Sequence, residues 1–217
     1  MTRRPKHDPA TKHSAGKPSW RFLIPDNSPL SLLGMLGSEA LDWLFVPGAE
    51  VWVTDMVREE AQRAPDPGDD QRTEHRAAII EWFSRNKHRI RIQRTDEGEE
   101  YRKAMETWRL AGSPVELKPS WAGRGEKSIL QVLDGVEKLL QDGEIVIALV
   151  DDGKARAAIR LIKTIDIDLM ATETFIEWLH RRFHVPEATT AWAAIKMTLA
   201  ERAPDAPLED PVHIRPK

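Results

Sequence analysis

Acidic residues sit at or beside the ends of apolar runs in four places: Asp26 after "WRFLIP", Glu60 in "DMVREEAQ", Glu126 after "AGRG", and Asp151-Asp152 after "EIVIALV". One such acid says little, because aspartate ahead of a helix is ordinarily a turn or cap residue. Four raise a different question, since in open α/β sheets binding sites gather at the carboxyl ends of the strands.

Helical phase separates these acids from their neighbours. Glu60 lies four and three residues after Met56 and Val57, on their stripe, while Glu59 is turned about 100° toward solvent. An unpaired carboxylate facing a core is costly and needs a cation, a partner or a wet cleft. Glu126 suits a helix start, where negative charge meets the macrodipole. It also shares the face of Ile129, Leu130 and Leu133. In "LVDDGKARAAIR" the expectation is that Asp152 caps the following helix, leaving Asp151 to join the other acids.

Three or four clustered carboxylates repel one another unless a cation sits among them. Hard oxygen ligands in that number suit Mg²⁺ or Mn²⁺, ions that support hydrolysis of phosphodiesters. A structural metal or a salt-filled cleft is the competing reading. Other chemistries find less support. The chain has no cysteine, hence no disulfide, thiolate metal site or cysteine nucleophile. Neither common glycine-rich phosphate loop is present. His180 and His184 have i, i+4 spacing, but within "HRRFH" they read as a solvated basic face. Most tryptophans, including Trp43, Trp82 and Trp178, fall in apolar helical patterns and read as core rather than base-stacking groups.

Positioning these acids requires alternating strands and helices. "WRFLIPD" reads as a strand, followed by a helix from "NSPLSLLGMLG" with Ser28 as cap and Pro29 in its first turn; "EALDWLF" continues the helical pattern. "AEVWVT" is a strand, and Thr54 caps the helix "DMVREEAQRA". After the loop "PDPGDDQR" come a helix at "TEHRAAIIEWFSRNK", a half-exposed strand at "RIRIQ" and a helix at "EEYRKAMETWRLAG". The loop "ELKPSWAGRG" leads into the helix "EKSILQVLDGVEKLLQ". "EIVIALV" is apolar on both faces, as a central parallel strand is. A helix over 153–163, a strand at "DIDLMA" and helices at "TFIEWLHRRF" and "TTAWAAIKMTLAER" complete the pattern, which is that of one α/β domain.

With 217 residues, 41% hydrophobic and 31% charged, the composition is that of a globular protein with a sizeable core. No run reaches the ~20 apolar residues of a membrane span, and the basic N-terminus lacks a signal peptide's apolar segment. A cytoplasmic location is the default expectation. The net charge is −3, unevenly spread. Residues 1–21 carry Arg3, Arg4, Lys6, Lys12, Lys17 and Arg21 against Asp8 alone. Such an arm either solubilises the chain or binds nucleic acid by counterion release.

The ordered set "FLIPDNSPL", "VWVTDMVREEAQ", "GRGEKSIL", "IVIALVDDGKARAA" and "IDIDLMATETFIEWL" resembles the PIN-domain nucleases. It looks most like the toxin-like, virulence-associated-protein-C-like branch with its Gly-Glu and strand–Asp-Asp/Glu–x-Lys-x-Arg motifs, over roughly residues 20–180. The resemblance implies a three-layer α/β/α fold with a mainly parallel central sheet. It implies an endonuclease of single-stranded RNA using Mg²⁺ or Mn²⁺, commonly the toxin of a type II toxin–antitoxin pair and commonly a homodimer. A non-catalytic PIN-like module binding nucleic acid or protein is the alternative. Asp26, Glu60, Glu126 and Asp151 then become the catalytic acids, with Asp26, Glu126, Asp151 and Asp152 holding metal. Ser28 and Thr172 match supporting polar positions, and Lys154 and Arg156 a basic pair that meets phosphate or restrains the acids. Self-association is expected through the region 28–45 or the C-terminal third, where Trp43, Leu44, Phe45 and Trp192 offer apolar contacts.

Departures from the pattern are Pro25 before the first acid, Ala171 and Glu173 in place of glycines beside Thr172, and a long Glu60–Glu126 interval. The expected organisation is a flexible basic arm at 1–19, a single domain at 20–200 with an inserted helix–strand segment at about 64–122, and a proline-rich tail at 201–217.

Overall fold

A computed structural model describes residues 19–64, 70–200 and 212–214. The arm at 1–18, most of the loop "PDPGDDQR" and most of the tail lie outside the described residues. Strand β1 (Ser19–Pro25) is followed by α1 (Asn27–Gly34), a 3₁₀ turn (Ala40–Leu44), β2 (Glu50–Thr54) and α2 (Asp55–Gln62). Next come α3 (Asp70–Arg85), β3 (Ile90–Gln93), α4 (Asp96–Leu110) and α5 (Arg124–Gly135). The chain ends in β4 (Glu144–Leu149), α6 (Gly153–Ile159), β5 (Ile167–Met170), α7 (Thr172–Phe183), α8 (Pro186–Ala200) and β6 (Val212–Ile214). No helix of the described residues is long and apolar enough to cross a membrane.

One six-stranded sheet orders these strands β3-β2-β1-β4-β5-β6. Every pair is parallel except β5–β6. The expected α/β class with a mainly parallel sheet is therefore observed. Parallel neighbours need crossovers, and right-handed crossovers running outward in both directions cover both faces with helices. β4 lies between β1 and β5, and Ile145–Leu149 are all nearly or fully buried, as its two-sided apolar sequence requires. β1 pairs with β2 on one side and β4 on the other, so the strand order reverses between β1 and β4. That reversal opens a crevice at the carboxyl ends of those two strands.

Several boundaries differ from the sequence reading. α1 begins at Asn27, with Asp26 in the extended cap position, so Ser28 is already inside the helix and caps nothing. The pattern at 39–45 closes as a 3₁₀ turn, not a continued α-helix. α5 starts at Arg124, placing Glu126 within its first turn, and it gives way to a 3₁₀ turn at Val136–Leu139. Segment 64–122 supplies α3, β3 and α4, and β3 extends the common sheet beside β2. Within the proline-rich tail, β6 pairs antiparallel with β5, aligning Val212 with Leu169. Its apolar–polar–apolar "VHI" fits an edge strand, but three residues are too few to register as a period. Thr54 caps α2 as expected, accepting from the Val57 N–H.

Candidate metal and nucleic-acid site

Asp26 is carried directly out of β1, and its own N–H donates to Leu149 O across the β1–β4 crevice at 2.8 Å. The residue is 6% exposed. Burial pushes its carboxyl up from 3.8 to about 7; the Asn27 backbone N–H opposes this, while the charges of Glu60, Glu126 and Asp151 add to the rise. Three other acids thus act on one buried carboxyl, each arriving from a different element.

Glu60 and Glu59 separate as helical phase requires. Glu60 is half-buried, and its Oε1 accepts from Asn27 Nδ2 at 3.0 Å. Glu59 is exposed and lines a different cavity, of about 560 Å³, with Tyr101 and Arg102. That cavity lies between α2 and α4, and none of Asp26, Glu60, Glu126 and Asp151 lines it. Asn27 therefore touches two of the acids at once, by its backbone at Asp26 and its side chain at Glu60. Its Oδ1 is buried and makes no hydrogen bond among the described residues.

Gly125 closes the space between the acids. A Cβ there would lie 2.9 Å from Glu60 Oε2 and 3.8 Å from Asp26 Oδ1. The glycine is held by a buried chain of hydroxyls. Thr54 Oγ1 accepts from the Val57 N–H at 3.2 Å and stands 2.6 Å from Ser128 Oγ, which donates to Gly125 O at 2.6 Å. Because the single Ser128 proton is committed to Gly125, the Thr54 hydroxyl donates to Ser128. The end of β2, the start of α2 and the first turn of α5 are thereby fixed to one another. Glu126 follows Gly125, half-buried, with no cationic partner among the described residues.

At the other side of the crevice, Thr172 gives both of its donors to Asp151: N–H to Oδ1 at 2.8 Å and Oγ1 to Oδ2 at 2.7 Å. Burial raises the Asp151 carboxyl, against the two Thr172 hydrogen bonds and the Arg156 charge, which lower it. Arg156 is 1% exposed, and its Nη1 donates to Val150 O at 3.2 Å. Asp152 is exposed and caps α6, its Oδ1 accepting from Lys154 N–H and Ala155 N–H, both at 2.8 Å. The exposed Lys154 extends from the first turn of α6. The half-buried Ser28 hydroxyl makes no hydrogen bond among the described residues; the contact that orients Asp26 comes from Asn27.

Asp26, Glu60, Glu126 and Asp151 thus converge on the crevice where the strand order reverses, while Asp152 serves its helix. Asn27 and Ser128 escaped the sequence reading. The signal for Ser128 was a small polar residue beside the apolar stripe of α5; Asn27 carried none beyond following Asp26. Among the described residues no three acidic or histidine side chains form a ready-made ligand set. The donor chemistry suits a hard cation: carboxylate oxygens, one buried amide oxygen without a donor, and a glycine whose lack of a side chain lets Glu60 approach its backbone closely beside Asp26.

Among solved structures, the chain is similar to that of the PIN domain endonuclease Utp24. The two are 14% identical, the match covers 73% of this chain and 90% of that one, and the TM-score is 0.39. No family model matches this chain, and no curated protein does.

Proposed function

We propose that this protein is a divalent-metal-dependent nuclease that hydrolyses phosphodiester bonds of single-stranded RNA. The observation that carries the reading is Asp26, a buried carboxyl on which three further acids bear at the sheet's reversal point. Such mutual repulsion is unfavourable in an empty crevice and favourable around a cation. Asp26, Glu126 and Asp151 would hold Mg²⁺ or Mn²⁺, with Glu60 at its edge. The ion would supply Lewis-acid stabilisation of phosphodiester oxygens and activation of water. Asn27 and Thr172 orient the carboxylates, Arg156 tempers the charge of Asp151, and the exposed Lys154 would meet phosphate. The choice of RNA, the toxin role in a type II toxin–antitoxin pair, an antitoxin partner and homodimerisation rest on the sequence resemblance to toxin-like PIN nucleases, and a cytoplasmic location is the default for a sequence with neither a membrane-spanning run nor a signal peptide's apolar segment.

The test is incubation of purified protein with labelled single-stranded RNA, with Mn²⁺ or Mg²⁺ and with EDTA. Cleavage only with metal, abolished by Asp26→Asn, supports the reading. Intact RNA under every metal condition overturns it.

One observation favours the second reading, a non-catalytic PIN-like module that binds nucleic acid or protein. Asp151 is engaged at both oxygens by the start of α7, and Asp152 by the start of α6. Acids spent on helix termini need no metal. RNA binding that is indifferent to both metal and Asp26 would select this alternative.

A further inference from the structure

We infer that Trp121, backed by Arg63, is a base-stacking subsite for a nucleotide next to the scissile phosphate; this rests on the nuclease reading above. Arg63 lies one helical turn beyond Glu60, and its N–H donates to Glu60 O at 3.2 Å. Trp121 stands four residues before Gly125, and its carbonyl accepts from the Arg124 N–H at 3.1 Å. The two strips of chain run side by side. Arg63 and Trp121 meet just beyond Glu60 in one strip and just ahead of Gly125 in the other.

The Arg63 guanidinium carbon sits 3.8 Å from the centre of the Trp121 ring, so one indole face is covered by a cation. Trp121 is only half-buried, and no aromatic ring of the described residues packs on it. The indole N–H groups of Trp20, Trp52, Trp82 and Trp108 each donate to a protein oxygen. That of Trp121 donates to none among the described residues, as is also true of Trp43 and Trp178, but Trp178 is packed among other rings and Trp121 is not. Arg63 Nε is buried without a hydrogen-bond partner. A half-open indole backed by a guanidinium, beside an acidic cluster, is poorly explained as core. Its chemistry suits a flat, electron-rich ring: a nucleobase stacks on an aromatic face whatever its identity, and an arginine plane reinforces the stack. The subsite would hold a base while placing its phosphate toward Gly125 and the acids.

The experiment measures binding of a fluorescent single-stranded RNA hexamer by anisotropy, with EDTA and again with Ca²⁺. Wild type, Trp121→Ala and Trp121→Phe are compared, and melting curves confirm folding. Trp121→Ala should weaken binding roughly tenfold, with Trp121→Phe restoring most of it. A hexamer with one abasic position should bind wild type more weakly, and for one such position the Trp121→Ala penalty should vanish. Equal binding by Trp121→Ala, or a penalty that persists at every abasic position, overturns the subsite while leaving the nuclease reading standing. Failure of wild type to bind in either condition overturns both.

Discussion

Thr172 occupies both oxygens of the Asp151 carboxylate, and Thr95 repeats the arrangement on Asp55. Thr95 donates through Oγ1 at 2.7 Å and through its N–H at 3.3 Å. Each acid follows its strand's end, and each threonine begins the helix after the neighbouring parallel strand. The device ties adjacent strand–helix units together at the carboxyl edge of the sheet. One copy faces the acidic crevice; the other faces the cavity flanking α4. Thr172→Val should remove the buried Oγ1 hydrogen bond, costing on the order of 1 kcal/mol of stability. It should also weaken Mn²⁺ binding measured by calorimetry, with Thr172→Ser recovering both. Unchanged metal affinity in the valine variant would restrict this threonine to structure.

Asp26 makes stability depend on pH in a definite direction. Its folded carboxyl is raised from 3.8 to about 7, so between these values the folded state binds more protons than the unfolded state. Stability must then fall as pH rises through that window, by on the order of 4 kcal/mol for a shift of this size. Without metal, the melting temperature should drop between about pH 4 and pH 8 as this group ionises, and Asp26→Asn should flatten the profile and raise stability at the upper end. Added Mn²⁺ should restore the wild type there and leave Asp26→Asn unaffected. A wild-type profile matching that of Asp26→Asn would contradict the clustering.

Neighbouring acids should behave differently. Glu60→Gln and Asp151→Asn should abolish metal-dependent cleavage with the fold retained. Glu59→Gln should change neither property, because exposed charges contribute little. Asp152→Ala should cost about 1 kcal/mol for the lost cap and keep its activity. Melting temperature and RNA cleavage across the four variants form the check, and loss of activity through Asp152 alone would reverse the assignment.

Two glycines offer a contrast. In Gly125→Ala the new methyl meets Glu60 Oε2, the end of a long side chain that can swing aside. The fold should survive while cleavage and Mn²⁺ affinity fall. In Gly98→Ala the methyl meets the Asp55 carboxylate, which Thr95 holds in place. Stability should drop by roughly 2 kcal/mol as that contact breaks. Circular dichroism melts alongside metal titrations separate the two outcomes.

Periodicity made the larger elements legible. The two-sided apolar run of β4, the stripe that sets Glu60 apart from Glu59, and the Thr54 and Asp152 caps were all readable because each is a local regularity. Ser28 misled because serine before proline is a strong helix-start signal, yet Asp26 leaves β1 in an extended conformation and α1 begins one residue later. β6 was hidden in a proline-rich segment because its pairing is decided by the exposed edge of β5, not by its own three residues. Asn27 and Ser128 were unreadable for a related reason: each bridges elements remote in sequence, and no local spacing announces such a contact.

The placement of β1 has a consequence for how the chain reaches this structure. Its longest register is with β4, where Trp20 aligns with Ile145 and Pro25 with Leu149. The intervening chain, β2 and β3 included, must be gathered before that central pair can close, and closing so long a loop is entropically slow. The N-terminal half can zip β1 to β2 to β3 early, but that half contains only Asp26 and Glu60. Glu126 and Asp151 arrive with the late β1–β4 closure. On a ribosome, the four acids would come together only after β4 had emerged, so the nascent chain carries an incomplete crevice for most of its synthesis.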